Sequence, residues 1–366
     1  MRFVLRIILV VVHCIIIIGL LLATVSPLVN PGWFAVPAYC GLLFESLFLA
    51  NILCGLLWLF THHKCYSIAS VIAAILAVVP LARTFSHSFC QKSEIDGEKH
   101  RLTLLTYNTH LCQNARKTPQ NEVLGYVKES GADIVFLQEY EVRKIKTALT
   151  FEEAKSYLAD TYPYTYFDFS IYNSRRQYGL ALFSRYPLIN KRTIRYESKA
   201  NISDCCDVVV GADTFRLFNN HLESNRFSYS DIEPLTDERV TGSGVWRSFM
   251  RLTRKLREAY SYRAREVETV REEIAASPHP VIIAGDMNDV PVSYTYRNIR
   301  HSSKGLQDCF LSGSSFSTGH TYRFANGPFG VRIDYLFVSP VFSVEECAVG
   351  DVSYSDHLPL RAVICW

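Results

Sequence analysis

Three long apolar runs crowd the first 82 residues, and they restrict what this chain can become more than any other feature. Ile7 to Val25 carries no Asp, Glu, Lys or Arg, Ala35 to Phe60 is broken by Glu45 and Asn51, and Tyr66 to Ala82 is the third. Crossing a bilayer takes about 20 apolar residues, with about 17 as the lower limit. Inside lipid every backbone N–H and C=O must find its partner within the segment, which leaves helices. The first two runs are long enough and the third sits at the limit. The sequence therefore predicts a membrane anchor over 1–85 with three transmembrane helices, at about 7–25, 35–60 and 66–82. A buried hairpin or, for the first run, a cleaved signal peptide is the alternative. A signal core spans only about 7 to 15 residues, shorter than this run.

Cations set the expected orientation. Arg2 and Arg6 precede the first run, His62, His63 and Lys64 lie between the second and third, and Ser26 to Pro37 is uncharged. An amino terminus inside and three crossings put the remainder outside, a multi-pass protein of the cell membrane with an extracytoplasmic domain. Arg83 and Lys92 pull the other way. Glu45 is costly within a span and receives no role.

Composition excludes little else. The net charge of +3 does not point to a polyanion. Of 11 cysteines, Cys14, Cys40, Cys54 and Cys65 belong to the anchor, and the other seven form no C-x-x-C zinc pattern. An exterior domain permits disulfides, with at least one thiol of an odd set left over.

From 86 to 100 the chain turns polar and reads as a linker, so the second domain is expected over 101–366. Leu102 to Tyr107, Asp133 to Leu137, Gly179 to Ser184, Val208 to Gly211 and Thr214 to Asn219 read as strands. Pro119 to Ser130 reads as a helix with proline near its start and Gly131 past its end. A long amphipathic helix is expected from about Val245 to Ala276, with Trp246, Phe249, Leu256, Tyr260, Val267, Val270 and Ile274 on one face. Its first half carries Arg247, Arg251, Arg254, Lys255, Arg257, Arg263 and Arg265 against Glu258 alone. A solvated face explains this most simply; contact with anionic lipid headgroups or a polyanionic substrate is the sharper reading. Strands of both alternating and continuous apolar type, mixed with helices, point to a layered α/β or α+β sandwich.

The chemistry gathers at strand ends. Val281-Ile-Ile-Ala-Gly-Asp-Met-Asn288 is a buried strand that delivers Asp286 and Asn288, a pair suited to a water and a phosphoryl oxygen. Alone, it would equally serve a turn. Asn108, Glu139, Asn219 with His221, Asp334, and Asp356 with His357 end other segments. Carboxylates from several strands without clustered cysteines suit a hard cation such as Mg2+ or Mn2+, and the histidines and amides suit a phosphate.

Taken together, Thr106-Tyr107-Asn108, Leu137-Gln138-Glu139, Asn219-Asn220-His221-Leu222, Gly285-Asp286-Met287-Asn288, Arg332-Ile333-Asp334-Tyr335 and Ser355-Asp356-His357-Leu358-Pro359 make the region 101–366 resemble the endonuclease/exonuclease/phosphatase superfamily. The resemblance implies a four-layered sandwich of two mixed sheets flanked by helices, and metal-dependent hydrolysis of a phosphodiester. It implies that Glu139 is the principal metal ligand, that Asp356 is an additional one, and that Asn108 lies between metal and phosphate. Asp286 would align or deprotonate the attacking water, and Asn288 would stabilise the developing oxyanion. His357, held cationic by Asp334, would contact the phosphate, with Asn219 and His221 on the same phosphate. Four positions depart from named members: His110 stands where some nucleases carry a carboxylate, Asp289 and Val290 replace Tyr-Arg of the inositol polyphosphate 5-phosphatases, and Val331 replaces a tryptophan of abasic-site endonucleases. The expected partners are a nucleic acid or lipid-headgroup phosphodiester and the bilayer. The alternative is a tethered binding module with the same fold and no turnover.

Overall fold

The computed structural model describes residues 2–61, 63–86, 100–110, 122–143, 151–172, 176–198, 201–227, 231, 242–314, 317–324 and 330–366. Most of the expected linker, Lys92, His62 and Pro119 lie outside the described residues. The chain divides into two compact units, Met1–Thr84 with Ser224–Arg265 and Asp289–Arg297, and Phe85–Glu223 with Glu266–Asn288 and Asn298–Trp366. The first unit thus takes in two later segments that composition alone assigns to the second domain.

In the first unit, α1 (Arg2–Val25), α2 (Val36–Leu42), α3 (Phe44–Leu59), α4 (Cys65–Leu76) and α5 (Val78–Thr84) correspond to the apolar runs. Among the described residues α1 is the one helix long and apolar enough to cross a membrane by itself. The second and third expected spans are bent pairs: α2 and α3 meet at 75°, α4 and α5 at 56°, so three crossings require each pair to act as one span. Pro80 accounts for the second bend. It has no N–H to give the carbonyl of Leu76, where α4 ends. Polar side chains join these helices: His13 Nε2 lies 2.8 Å from Ser70 Oγ, and Asn51 Nδ2 donates to Ser70 O at 3.0 Å. Segments 224–265 and 289–297 belong with them because Tyr39 Oη donates to Thr253 O at 3.0 Å and the fully buried Arg263 donates to Asn225 Oδ1 at 3.0 Å. Arg263 Nε also lies 3.6 Å from Asp289 Oδ2.

In the second unit, two six-stranded sheets pack face to face. The first runs β13–β14–β1–β2–β4–β3, from β1 (Arg101–Asn108), β2 (Ile134–Arg143), β3 (Tyr164–Tyr172), β4 (Arg176–Ser184), β13 (Ser343–Val349) and β14 (Leu360–Cys365). The second runs β5–β6–β7–β8–β12–β9, from β5 (Leu188–Arg195), β6 (Ile202–Val210), β7 (Asp213–His221), β8 (Val281–Asp286), β9 (Gln307–Asp308) and β12 (Asp334–Val338). A small ribbon pairs β10 (Tyr322–Arg323) with β11 (Gly330–Val331). Arg332 and Ile333 lie between this ribbon and β12, which starts at Asp334.

Both sheets are mixed: β1–β2 and β7–β8 are parallel pairs, and β14 and β12 flank them antiparallel. Alternate residues of β1 serve two different cores. Leu102 and Leu104 enter the core between the sheets, while Leu105 and Tyr107 meet α6 (Glu122–Glu129) and α7 (Phe151–Leu158) on the outer face. The long helix α8 spans Ser243–Ala275, and its second part buries Val267, Val270 and Ile274. Arg192 of β5 is bonded to Glu273 of this part at 2.9 Å. This is the expected sandwich of two mixed sheets flanked by helices. The nine described cysteines are free thiols.

Candidate active site

Register brings the strand ends together. His221 closes β7 beside Asp286, which closes the parallel β8, and Asp334 opens β12 directly opposite Asp286. In the other sheet Asn108 closes β1 beside Gln138 of β2, and β14 begins at Leu360 opposite Thr106, just after His357. The carboxyl ends of both parallel pairs thus converge, the usual place for a site in sheets of this kind.

Side chains then cross from sheet to sheet. Asn108 Nδ2 donates to Asp286 Oδ2 at 2.9 Å, and the same oxygen accepts from Asn288 Nδ2 at 3.2 Å. Asp286 Oδ1 accepts the backbone N–H of Asn288 at 2.7 Å, and Asn288 Nδ2 also reaches Leu222 O at 3.0 Å. Asn288 achieves this with a φ of 51°. Asp334 Oδ2 lies 2.9 Å from His357 Nδ1, whose other nitrogen faces Asp286 Oδ2 at 3.8 Å.

Glu139 stands slightly apart. Two residues of β2, Gln138 and Glu139, bulge out of register with β4, and Glu139 takes a φ of 50°, a conformation costly for a residue with a Cβ. Its Oε1 lies 3.6 Å from His221 Nε2, a buried nitrogen without a hydrogen-bond partner among the described residues. Its Oε2 lies 4.0 Å from His110 Nδ1, and Asp356 Oδ1 approaches that same nitrogen at 3.2 Å. Both carboxylates are partly open to solvent.

Electrostatics divides the titratable groups. Burial raises the Asp286 carboxyl to about 7, with Asp334 adding to the shift and His357 opposing it. Burial works against charge on His357, but Asp334 and then Asp286 outweigh it and raise this imidazole to about 10. Burial lowers His221, with Glu139 opposing. At neutral pH the site holds a cationic His357 and a neutral His221.

Asn219 is not gathered with the others. Its Oδ1 accepts from Gln138 Nε2 at 2.7 Å and its Nδ2 donates to Leu137 O and Ala181 O at 3.2 and 3.3 Å, so the amide is used up between the sheets. Asn108, expected between metal and phosphate, spends its Oδ1 on the N–H of His110 at 3.0 Å and its Nδ2 on Asp286.

Three further residues shape the site. Thr321 Oγ1 accepts the N–H groups of Ile333 and Asp334 at 3.1 and 3.0 Å, fixing the start of β12. Ser355 Oγ donates to Asn108 O at 2.8 Å and accepts from His357 N at 3.1 Å. The Tyr322 ring lies 5.0 Å from that of His357. Ser355 sits within a motif legible in the sequence, whereas nothing around Thr321 or Tyr322 signals their position.

Among the described residues one trio, Asp286, Asp334 and His357, offers metal-ligating atoms all within 4.8 Å of one another. The trio is buried, and Asp286 Oδ2, Asp334 Oδ2 and His357 Nδ1 are engaged with each other or with amides, while Asp334 Oδ1 has no hydrogen-bond partner among the described residues. Glu139 and Asp356 keep oxygens nearer solvent.

Two family models match the chain, over separate stretches of the sequence. Residues 105–357 match the model of the Endonuclease/Exonuclease/phosphatase family, and residues 6–84 match a Domain of unknown function (DUF8431). No curated protein matches the sequence. Among solved structures, an endonuclease/exonuclease/phosphatase from Beutenbergia cavernae is 19% identical, with 72% of this chain and 71% of that one covered at a TM-score of 0.52. Truncated TDP2 from Caenorhabditis elegans is 19% identical, with 72% and 97% covered at 0.47. The human Nocturnin catalytic domain with bound sulfate anion is 17% identical, with 73% and 96% covered at 0.48.

Proposed function

Given that this chain belongs to the endonuclease/exonuclease/phosphatase family, we propose that it is a membrane-anchored phosphoesterase that hydrolyses a phosphodiester by in-line attack of water. One observation carries the reading: Asp286 Oδ2 is held by two amides, 2.9 Å from Asn108 Nδ2 and 3.2 Å from Asn288 Nδ2, and faces an imidazole whose far nitrogen rests on Asp334. That is a proton acceptor beside a fixed cation.

The residues fit a hard divalent cation at Glu139 and Asp356. Their oxygens already converge on one point, the Nδ1 of His110, at 4.0 and 3.2 Å. Mg2+ or Mn2+ held there supplies Lewis acidity to a phosphoryl oxygen. Asp286 orients the attacking water and takes its proton, and the Asn108 and Asn288 amides keep its carboxylate aimed. His357, cationic through Asp334, binds a phosphoryl oxygen and offsets charge that develops in the transition state. His221 offers its free Nε2 to the same group. Asn219 acts between the sheets and has no part in binding.

Anchoring by three crossings is supported within the first unit. Arg6 Nη1 lies 3.2 Å from His63 Nε2, so the start of α1 and the α3–α4 connection share one end of the helix cluster. The charges at that end favour the cytoplasmic side, which leaves the catalytic part extracytoplasmic. A bilayer setting suits a lipid-headgroup phosphodiester as well as a nucleic acid.

The test uses the purified full chain in detergent with bis(p-nitrophenyl) phosphate. Turnover is expected with Mg2+ or Mn2+, and its loss with chelator, in Asp286→Ala and in His357→Ala. Turnover that survives chelator or both substitutions overturns the assignment. Parallel assays on single-stranded DNA, RNA, phosphatidylinositol phosphates and sphingomyelin identify the substrate class.

A further inference from the structure

The mechanism leaves one conspicuous surface unused, the first part of α8. In the first unit this segment meets the α2–α3 pair at its tip. Tyr39 Oη donates to Thr253 O at 3.0 Å, Tyr260 Oη donates to Ala38 O at 3.4 Å, and the two tyrosine rings lie 5.9 Å apart. Residues 38 and 39 belong to the start of α2, where the pair begins. Just before that start, Trp33 is 88% exposed and Phe34 is exposed. On α8 itself Trp246 is 61% exposed and stacks on the exposed Phe249, with Met250 exposed beside them. Large aromatic side chains left bare around the end of a membrane helix mark the interfacial layer, where an apolar ring and a polar edge are both satisfied.

The charges on this part of the helix complete the pattern. Arg247, Arg251, Arg254 and Arg257 are exposed and recur at steps of three and four, so they share one side of the helix. Of the other cations nearby, Lys255 Nζ lies 2.6 Å from Asp231 Oδ2, Arg263 is buried on Asn225, and the exposed Arg265 donates to Ser261 Oγ at 3.1 Å. Glu258 is the one acid between 243 and 265. A cationic side interleaved with bare aromatics, on a segment attached to the end of a membrane helix, has the chemistry of an interfacial amphipathic helix.

We propose that the first part of α8 lies in the headgroup layer of the bilayer, with Arg247, Arg251, Arg254 and Arg257 on the phosphates of anionic phospholipids and Trp246, Phe249 and Met250 at the acyl boundary. The proposal rests on the membrane-anchored reading above. It makes this helix a lipid-sensing element of a chain whose other parts carry the chemistry.

The full chain, incorporated into nanodiscs of phosphatidylcholine with phosphatidylglycerol and then released into detergent, is examined by native mass spectrometry for retained lipid. The wild type is expected to keep phosphatidylglycerol in preference to phosphatidylcholine. The triple variant Arg251→Glu, Arg254→Glu, Arg257→Glu is expected to lose about tenfold of that preference, given the attraction each cation contributes near an anionic surface. The Arg→Lys triple retains it, and an Arg→Gln triple, free of repulsion between new acids, loses part of it. Turnover of bis(p-nitrophenyl) phosphate stays at the wild-type level in all three. An unchanged preference in the Glu triple, or none in the wild type, overturns the proposal. So does loss of nucleic-acid turnover with lipid preference intact, which assigns the arginines to a polyanionic substrate. Release of the wild-type chain from membranes by alkaline carbonate defeats the anchored reading itself, and the interfacial helix with it, while metal-dependent turnover would stand.

Discussion

Asp334 Oδ2 lies 2.9 Å from His357 Nδ1, and the same Asp334 faces Asp286 across the β12–β8 ladder. One carboxylate therefore acts on both partners: together with Asp286 it raises the imidazole to about 10, and it adds to the burial that raises the Asp286 carboxyl to about 7. Asp334→Asn keeps the size of the side chain and removes that influence. Its expected effect is a loss of turnover of about 10² to 10⁴, the usual scale for a positioned acid or base. His357→Ala should cost a similar factor, and the double variant little more, because the two act as a unit. Steady-state rates of the four proteins decide this, and losses that multiply would show that the pair acts independently.

Asn219 is fully buried and makes three hydrogen bonds, to Gln138, Leu137 and Ala181. Family resemblance puts this residue on the phosphate, whereas the geometry has it joining β7 to the opposite sheet. The two roles predict different readouts. Asn219→Ala leaves Gln138 Nε2 and two carbonyls short of a partner, at a cost of about 1 to 3 kcal/mol of stability. With the structural role the thermal midpoint falls while KM stays within about twofold of wild type. A raised KM at unchanged midpoint would return Asn219 to the substrate.

What could be read beforehand, and what could not, follows from how local each signal is. Val281 to Ala284 announces a central strand because it is buried on both faces, and the parallel β7–β8 pairing makes that environment. Asp286, Asp334, Asp356 and His357 were legible because short motifs hold them at strand ends. Glu139 was legible as a residue, but its bulge and its φ of 50° were not, since they arise from pairing with β4. The bend between α4 and α5 follows from Pro80, yet a hydropathy pattern sums over a proline without registering it. The two allegiances of α8 were hidden for a similar reason. A single amphipathic period runs through Ser243–Ala275, while partners such as Tyr39 and Ala38 lie more than two hundred residues away. The fate of Asn219 was least accessible, because an Asn at a strand end looks the same whether it faces solvent or another sheet.

Gly285 offers a test of how tightly β7 and β8 are joined. Its φ is +130°, and a Cβ there would stand 2.0 Å from Asn220 O, a backbone atom with no freedom to yield. Gly285→Ala should therefore cost about 3 kcal/mol or more. Because Asp286 is the next residue, turnover of bis(p-nitrophenyl) phosphate should fall as well, even under conditions where the variant remains folded. Denaturant unfolding with a parallel rate measurement checks both. A variant with wild-type stability would mean that the approach of the two strands is looser than this geometry.

Asp204 of β6 is 1% exposed, and neither of its carboxylate oxygens has a hydrogen-bond partner among the described residues. Burial raises its pKa well above the ordinary 3.8, the nearby Asp168 adds to the shift, and Arg195 only partly opposes it. In the folded chain Asp204 holds its proton at pH values where the unfolded chain has released it. Folding then binds a proton, so this residue's contribution to stability declines as pH rises above 3.8 and continues to decline up to the folded pKa. Asp204→Asn removes the titration and retains the shape. The substitution should raise the thermal midpoint more at pH 7 than at pH 4, the gain growing from the unfolded pKa up to the folded one. Midpoints of both proteins measured across that range are the check. A gain independent of pH would show that Asp204 is ionised in the folded state, with a partner for its charge.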